Sequence, residues 1–468
     1  MRRIICILIC LVFFHPLFSF AEILPATIQI ENSFLWGSDD DLPHWLTANS
    51  WGTTEDTDIQ DVIDISFAQL FTINDIISFI YGFDVATNVS ESSSISIEEL
   101  YYQFNLYGFS VYAGKKRQTL GDVYEPLSTG SMVVSEHASP IPRISAGFFD
   151  YVPVPFTRNI LEVKGLISHG WFQGDRYTDG ILLHEKAFYG KVNLPFGISP
   201  YVGLVHEAMW GGSNDIGEDG GITWENFWRI FFADEGGDDA PTNEQLNRLG
   251  NHLGIWDFGI YGEIAGLDLH AYYQHFFEDR SGLKFFQNGI DGLWGLSIEH
   301  LPFPYVDTFL YEYVQTTDQS GDVHNIGDEI LGGFDRYYDN WFYQNGWTHL
   351  NSVIGNSFFS TIGSDEDLKI ANNRMKIHHV GIHGSIAALL EYTALCSFAR
   401  YYPAYVLDAD NNLVSLYDRE EYLIHTYFEL ERKSLFNYGY LSGRIGLGYD
   451  FGSLKDSFGL LISAEWNF

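Results

Sequence analysis

The side chains best able to do chemistry are unevenly placed. Residues 22–114 contain no lysine or arginine, whereas nine lie between 115 and 191: Lys115, Lys116, Arg117, Arg143, Arg158, Lys164, Arg176, Lys186 and Lys191. The chain carries 62 acidic and 25 basic residues, a formal charge of −37. So concentrated a run of cations in so acidic a chain faces something negative. The partner is either carboxylates of the same chain, such as Glu162 and Asp175, or an anionic polymer from outside. An acidic polymer would be repelled at long range, and salt screens charges beyond about 8–10 Å, so it would have to meet these cations directly. Trp210, Trp224, Trp228, Trp341 and Trp347 lie in or beside long turn-rich stretches. Their faces would either stack on sugars or pack in loops and at a membrane interface.

Catalytic and metal signatures are weak. There is no GxSxG elbow for a serine nucleophile. The pairs His184-Glu185 and His206-Glu207 lack the second histidine of a HExxH zinc helix. His379 and His383 share one face of a strand-like stretch and read as polar lining rather than a metal site. Asp408, Asp410 and Asn412 have EF-hand spacing without its glycine or closing glutamate, and read as a turn. No catalytic residue, metal or cofactor is expected.

The elements that would position these residues are strands. At the C-terminus, Phe458, Leu460, Ile462, Ala464, Trp466 and Phe468 share one parity, while Ser457, Gly459, Ser463, Glu465 and Asn467 share the other. The same period-2 pattern marks Tyr422–Leu430, Leu441–Tyr449, Leu390–Phe398 and Leu267–Tyr273. Strand-like stretches are 24–34, 59–70, 75–87, 97–106, 108–117, 159–173, 181–194, 198–210, 255–263, 265–278, 292–300, 305–317, 372–386, 388–402, 420–433, 436–450 and 456–468, with others hidden in 320–360. Their length of about 10 residues fits a tilted membrane crossing, aromatics sit at their ends, and the last strand ends on Phe468. These features predict an all-β transmembrane antiparallel barrel of 16–20 strands, apolar side chains outward to lipid. In that frame Cys396 shares parity with Leu390, Tyr392, Ala394 and Phe398, and faces lipid. Three segments break the rhythm, 118–142, 212–250 and 319–365, as extracellular or plug loops would.

Composition agrees. Aromatics at 17% exclude disorder, and the acidic balance excludes a nucleic-acid partner. Arg2 and Arg3, the apolar run Ile4–Phe18 and Ser19-Phe20-Ala21 read as a signal peptide over 1–21, leaving 22–468 as one barrel domain in the outer membrane. No later stretch is long and apolar enough for a spanning helix.

Ten stretches, in order over most of the chain, carry a resemblance: LPHWLTANSWG (42–52), GKKRQTLGD (114–122), LSTGSMVVSEHASPIPRI (127–144), SHGWFQGDRY (168–177), LLHEK (182–186), GLVHEAMWGG (203–212), NRLGNHLG (247–254), YYQHFFEDRSG (272–282), DGLWGLS (291–297) and NGWTHLNSVIGNSFFS (345–360). In these the chain resembles the capsule assembly Wzi family, in its Bacteroidetes-like version. The resemblance implies a non-catalytic outer-membrane barrel of about 18 strands that binds or organises capsular polysaccharide. Lys115, Lys116, Arg117, Arg143, Arg176 and Lys186 fall inside the matched motifs and are the candidate polysaccharide contacts, with Trp210 as a stacking neighbour. The expected partners are surface polysaccharide, outer-membrane lipid and, through the strand ending at Phe468, the barrel-assembly machinery, with the protein a monomer. The alternative is a porin or sugar-selective channel, with an open acidic lumen.

Overall fold

Alternation gives each strand one apolar and one polar face, and in lipid such strands leave no backbone group unpaired only if the sheet closes. The computed structural model describes residues 22–23 and 26–468, except 39–40, 56, 92, 215–219, 233–248, 279–287, 320–323, 327–328, 332–335, 404, 408–412, 416–418 and 438. Eighteen antiparallel strands form the wall: β1 Thr27–Gly37, β2 Ile59–Asn74, β3 Ile77–Val89, β4 Ser93–Leu106, β5 Phe109–Lys115 and β6 Arg143–Pro153. They continue with β7 Leu161–Trp171, β8 Leu182–Val192, β9 Ile198–Trp210, β10 Asn251–Ile264, β11 Leu267–Phe277 and β12 Gly292–Glu299. The last six are β13 Thr308–Gln315, β14 Met375–Ala387, β15 Leu390–Tyr401, β16 Glu421–Arg432, β17 Leu441–Gly452 and β18 Ser457–Asn467. Each pairs with the next, and β18 returns to β1 with Leu461 opposite Leu35, so the barrel is closed. Among the described residues two short α-helices accompany it, α1 His44–Thr47 and α2 Trp224–Phe232, and neither is long and apolar enough to cross a membrane.

Parity sorts the faces as the sequence predicts. On β18, Phe458 and Ile462 are exposed outward while Ser457, Leu461 and Ser463 are buried inward. Cys396 is exposed on the outer face beside Phe398. Every connection at the rim where β1 begins and β18 ends has eight residues or fewer, whereas all the long connections lie at the other rim; this marks the first as periplasmic, since outer-membrane barrels keep short turns there. Exposed Tyr107, Phe156, Phe196, Phe303, Tyr305 and Phe436 ring that rim as an aromatic girdle.

Seventeen strands fall on stretches assigned from sequence, and the extra one is β6. Its alternation fails at Phe148-Phe149, where the register against β7 shifts between Phe148 and Val152. The segment 320–360 contributes no wall strand among the described residues. It holds only small hairpins, such as Thr348–His349 with Ser352–Val353.

The lumen is filled. The β5–β6 connection, residues 116–142, folds inward, and residues 336–372 of the β13–β14 connection stack on it. Met132, Val133, Tyr337, Tyr338, Phe342, Trp347, Phe358 and Phe359 are all essentially inaccessible and belong to one apolar cluster with inward wall residues such as Leu293, Leu310 and Ile377. The two layers are joined by Tyr338 Oη donating to the Met132 carbonyl at 2.6 Å and by Asn356 Nδ2 donating to the Gly130 carbonyl at 2.8 Å.

Candidate functional site

The plug hangs from the wall by its backbone amides. Glu312 on β13, fully buried, accepts four hydrogen bonds: from Ser128 Oγ at 2.6 Å, Thr129 N at 2.7 Å, Thr129 Oγ1 at 2.8 Å and Tyr272 Oη at 2.5 Å. Gln274 on β11 accepts from Met132 N at 2.9 Å and Ser131 Oγ at 3.1 Å. Asp257 on β10 accepts from Asp122 N at 2.7 Å. His379 on β14 takes Ser397 Oγ on one ring nitrogen and gives its other N–H to the Leu127 carbonyl, both at 2.7 Å. A buried amide that loses its partner costs about 1–3 kcal/mol, so these sockets fix the loop's position as well as its presence.

Two of the sockets are braced in the same way. Tyr189 on β8 lies across Gly203 on β9 and donates to Asp257 at 2.9 Å. Tyr272 on β11 lies across Gly295 on β12 to reach Glu312. A Cβ on Gly203 or Gly295 would come within 2.1 or 2.0 Å of the tyrosine ring, so only glycine leaves room for it.

The predicted contact residues do not converge on one site. Lys115 is buried and donates to Ser139 Oγ at 2.8 Å, and that hydroxyl bonds Glu98. Lys116 donates to Gln103 Oε1 at 2.6 Å over the rings of Tyr101 and Tyr112. Arg117 lies 3.0 Å from Asp84 and 3.5 Å from Asp64, with Trp51 beneath its guanidinium. Arg143 is buried against Glu185, one guanidinium nitrogen reaching both carboxylate oxygens at 2.6 and 2.7 Å. Arg176, between β7 and β8, donates to the Thr348 and Gly346 carbonyls at 2.7 and 3.0 Å and pins the upper plug layer. Burial without a countercharge draws its pKa down to about 10. Lys186 and Trp210 have the opposite parity, on the outer face of β8 and β9 beneath α2, where Lys186 donates to the Phe231 carbonyl. Elsewhere in the same run Lys191 pairs with Glu162 at 2.7 Å, so the intramolecular alternative holds for that pair.

The sockets Asp257, Gln274 and Glu312 were not singled out from sequence. A lone polar residue on an alternating strand looks like ordinary lumen lining, and its partner lies more than a hundred residues away. His379 was read as lumen lining, which is where it stands.

Beneath the plug, on the periplasmic side, a cavity of about 320 Å³ is lined by Glu31, Trp45, Trp51, Asp64, Arg117, Glu429 and Arg444, among others. Arg444 bonds Glu31 and lies 3.8 Å from Glu429, so both arginines of the cavity face carboxylates. Among the described residues no group of three or more His, Cys, Asp or Glu is placed to hold a metal ion. Within the plug, burial holds several imidazoles neutral: His137 is lowered to about 4 and His349, whose Nδ1–H donates to the Ser139 carbonyl at 2.8 Å, to about 3. Burial, and then the charge of Glu125, raises Glu136 to about 7.

A closed eighteen-strand wall, apolar outside and filled by its own loops, defines a plugged outer-membrane barrel. The chain belongs to the capsule assembly protein Wzi family, whose model matches residues 25–365. Among solved structures it is similar to Wzi of Escherichia coli, an outer-membrane protein involved in group 1 capsule assembly and described as a carbohydrate-binding β-barrel. The two are 14% identical, with 94% of this chain and 84% of that one covered and a TM-score of 0.62. OpdO of Pseudomonas aeruginosa also aligns, at 9% identity over 95% of this chain and 96% of that one, with a TM-score of 0.47. No curated protein sequence matches.

Proposed function

We propose that this protein binds capsular or other surface polysaccharide at the extracellular face of a plugged barrel, helping to organise the capsule there without catalysing a reaction. The observation that carries this reading is the filled lumen. Segments 127–144 and 345–360, two of the stretches that resemble the family, are the plug itself, and Gln274 of another is its socket. A barrel that spends so many buried hydrogen bonds on closing its lumen is built as a platform rather than a passage, which disfavours the porin alternative. The E. coli Wzi barrel, described as carbohydrate-binding, points the same way.

On this reading Arg143, Arg176 and Lys115 serve the ligand indirectly, by fixing the plug and wall. Arg117, about a third exposed with Trp51 beneath its guanidinium, opens into the cavity under the plug. The mature chain is a monomer from which residues 1–21 have been removed, inserted by the barrel-assembly machinery through the strand ending at Phe468. The test is deletion of the gene with imaging of the capsule layer, together with binding of purified polysaccharide to the barrel and single-channel recording. Loss of capsule retention, saturable binding and no steady conductance are expected. A large steady conductance with an unaltered capsule would replace this reading by the porin.

A further inference from the structure

On the outer wall of a barrel in lipid, outward positions are apolar. Near the extracellular rim, β7 to β10 break this rule together. His169 and His184 stand directly opposite each other, as do Lys186 and His206, and His252 on β10 stands opposite Ala208 on β9. All share the parity of exposed Ile167, Phe188 and Val202 and so point out of the barrel, yet His184, His206 and His252 are buried. Over this stretch lies α2, which covers His184. Phe227 packs on His169, His184 and Trp210 with ring centroids 6.1, 5.8 and 6.1 Å apart, Phe231 lies 5.3 Å from His184, and Ile230 is fully buried against Ala208, Trp210 and Leu249. Lys186 closes the contact by donating to the Phe231 carbonyl.

The helix is apolar on its other side too. Trp224, Trp228 and Phe232, spaced at i, i+4 and i+8, are 80%, 51% and 64% exposed, and the last two stack with centroids 6.1 Å apart. Between the two apolar faces runs a narrow polar strip, the Glu225–Arg229 pair at 2.7 Å. Ile222, Trp171 and Phe188 are exposed as well, the last two at outward positions of β7 and β8.

We propose that α2 is an interfacial helix, seated on the outside of the barrel, whose Trp224, Trp228 and Phe232 insert into the outer leaflet at the boundary between head groups and acyl chains. Tryptophan belongs at that depth because its ring is apolar and its N–H polar. The helix thereby supplies the lipid-facing surface that the histidine-bearing stretch of wall lacks. The partner is membrane lipid, because the row is apolar, belongs to a barrel already placed in the outer membrane and lies on the wall rather than over the lumen mouth.

The experiment places a nitroxide label at position 224, 228 or 232, as Trp224→Cys, Trp228→Cys or Phe232→Cys in a Cys396→Ser background. The barrel is purified from outer membrane, reconstituted in vesicles of phospholipid and lipopolysaccharide, and checked for heat-modifiable migration. Collision with oxygen, which partitions into lipid, is compared with collision with a water-soluble nickel chelate. A ratio of oxygen to nickel collisions several-fold higher than at Asp367→Cys, on an exposed loop, is expected at all three sites. Free access of the nickel chelate would overturn the proposal and return the tryptophans to a water-side sugar platform. Low collision with both reagents, together with dipolar broadening between labels, would also overturn it, by showing that a second copy covers the helix. If labelling prevents folding, the Trp224→Phe/Trp228→Phe variant gives the same decision through quenching by brominated lipids. The lipid-quenched fraction falls if the two indoles sit in lipid, and an unchanged fraction overturns the proposal.

Discussion

Replacing Glu312 by glutamine changes one oxygen to an NH2 and leaves the shape of the side chain intact. In the native protein each carboxylate oxygen receives two donors, Ser128 and Tyr272 hydroxyls on one, the Thr129 amide and hydroxyl on the other. With the NH2 turned toward Thr129, the backbone N–H there loses its acceptor; turned toward Ser128 and Tyr272, it forces both hydroxyls to give up donating and accept instead. The surviving bonds also change from charge-assisted to neutral, which roughly halves their strength. Losing one hydrogen bond to a buried charged acceptor costs about 1.5–3 kcal/mol. Taking about 2 kcal/mol, and a factor of ten per 1.4 kcal/mol, the released form of the plug rises about thirtyfold in population. Glu312 touches no other wall strand's hydrogen-bonded ladder through its side chain, so the barrel itself should still assemble. Hydrogen exchange of the folded, heat-modifiable protein reads the difference: peptides within 118–142 should exchange about thirtyfold faster, while peptides of β16 and β17 stay as they were. Unchanged exchange across 118–142 in a folded Glu312→Gln barrel would refute the idea that this carboxylate holds the plug.

Three other outcomes follow from the geometry. Arg143→Ala strands Glu185 in a fully buried position and should lower barrel stability by about 3–5 kcal/mol, whereas Arg143→Met with Glu185→Leu should recover most of it, both read from the temperature of the heat-modifiable shift. Equal stability of the single and double variants would remove the ion pair from the argument. Cys396 should react with a lipid-soluble thiol reagent in intact outer membrane and barely at all with an impermeant one; rapid labelling by the latter contradicts the outward parity. For pH, His137 and His349 in the plug and His44 on α1, stacked on the plug's Phe358, lie below 6.5, so release of the plug lets more protons bind and the closed form loses stability as pH falls through 6.5. Glu136, raised to about 7 from 4.5, acts the other way, its contribution complete below 4.5 and lost as pH rises through 7. Three groups against one, each worth at most about 1.4 kcal/mol per pH unit, predict faster exchange of 118–142 at pH 5.5 than at pH 7 after correction for intrinsic rates; equal protection would mean these histidines are not held neutral.

The wall was legible because its signal is local. Parity in a strand is set by nearest neighbours, and it placed Phe458 outward and Ser457 inward without any knowledge of β17 or β1. It failed only at β6, where two adjacent phenylalanines and a register shift destroy the period. Parity also separates Lys186 and Trp210 from Arg143 among the candidate contacts: on β8, Glu185 faces Arg143 in the lumen and Lys186, one residue on, points out. Counting charge along the chain merged two faces that the pleat keeps apart. The aromatic patch over 224–232 was visible, but whether it covered the lumen, the rim or the outer wall depends on its packing against β7 to β10.

The sockets were illegible for a different reason. Tyr189, Gly203 and Asp257 make one brace, as do Tyr272, Gly295 and Glu312, and each depends on three strands meeting in one register. That register is fixed by hairpin turns of particular length, so a single-residue slip would put Tyr189 against Leu204 and turn Asp257 out to lipid. Physically the braces and the alternation are one constraint. Lipid outside demands apolar side chains at every second position, which forces the remaining positions inward. There a carboxylate is tolerable only if donors are brought to it. The plug backbone supplies those donors at Glu312 and Asp257, so closing the lumen is how these buried carboxylates are satisfied.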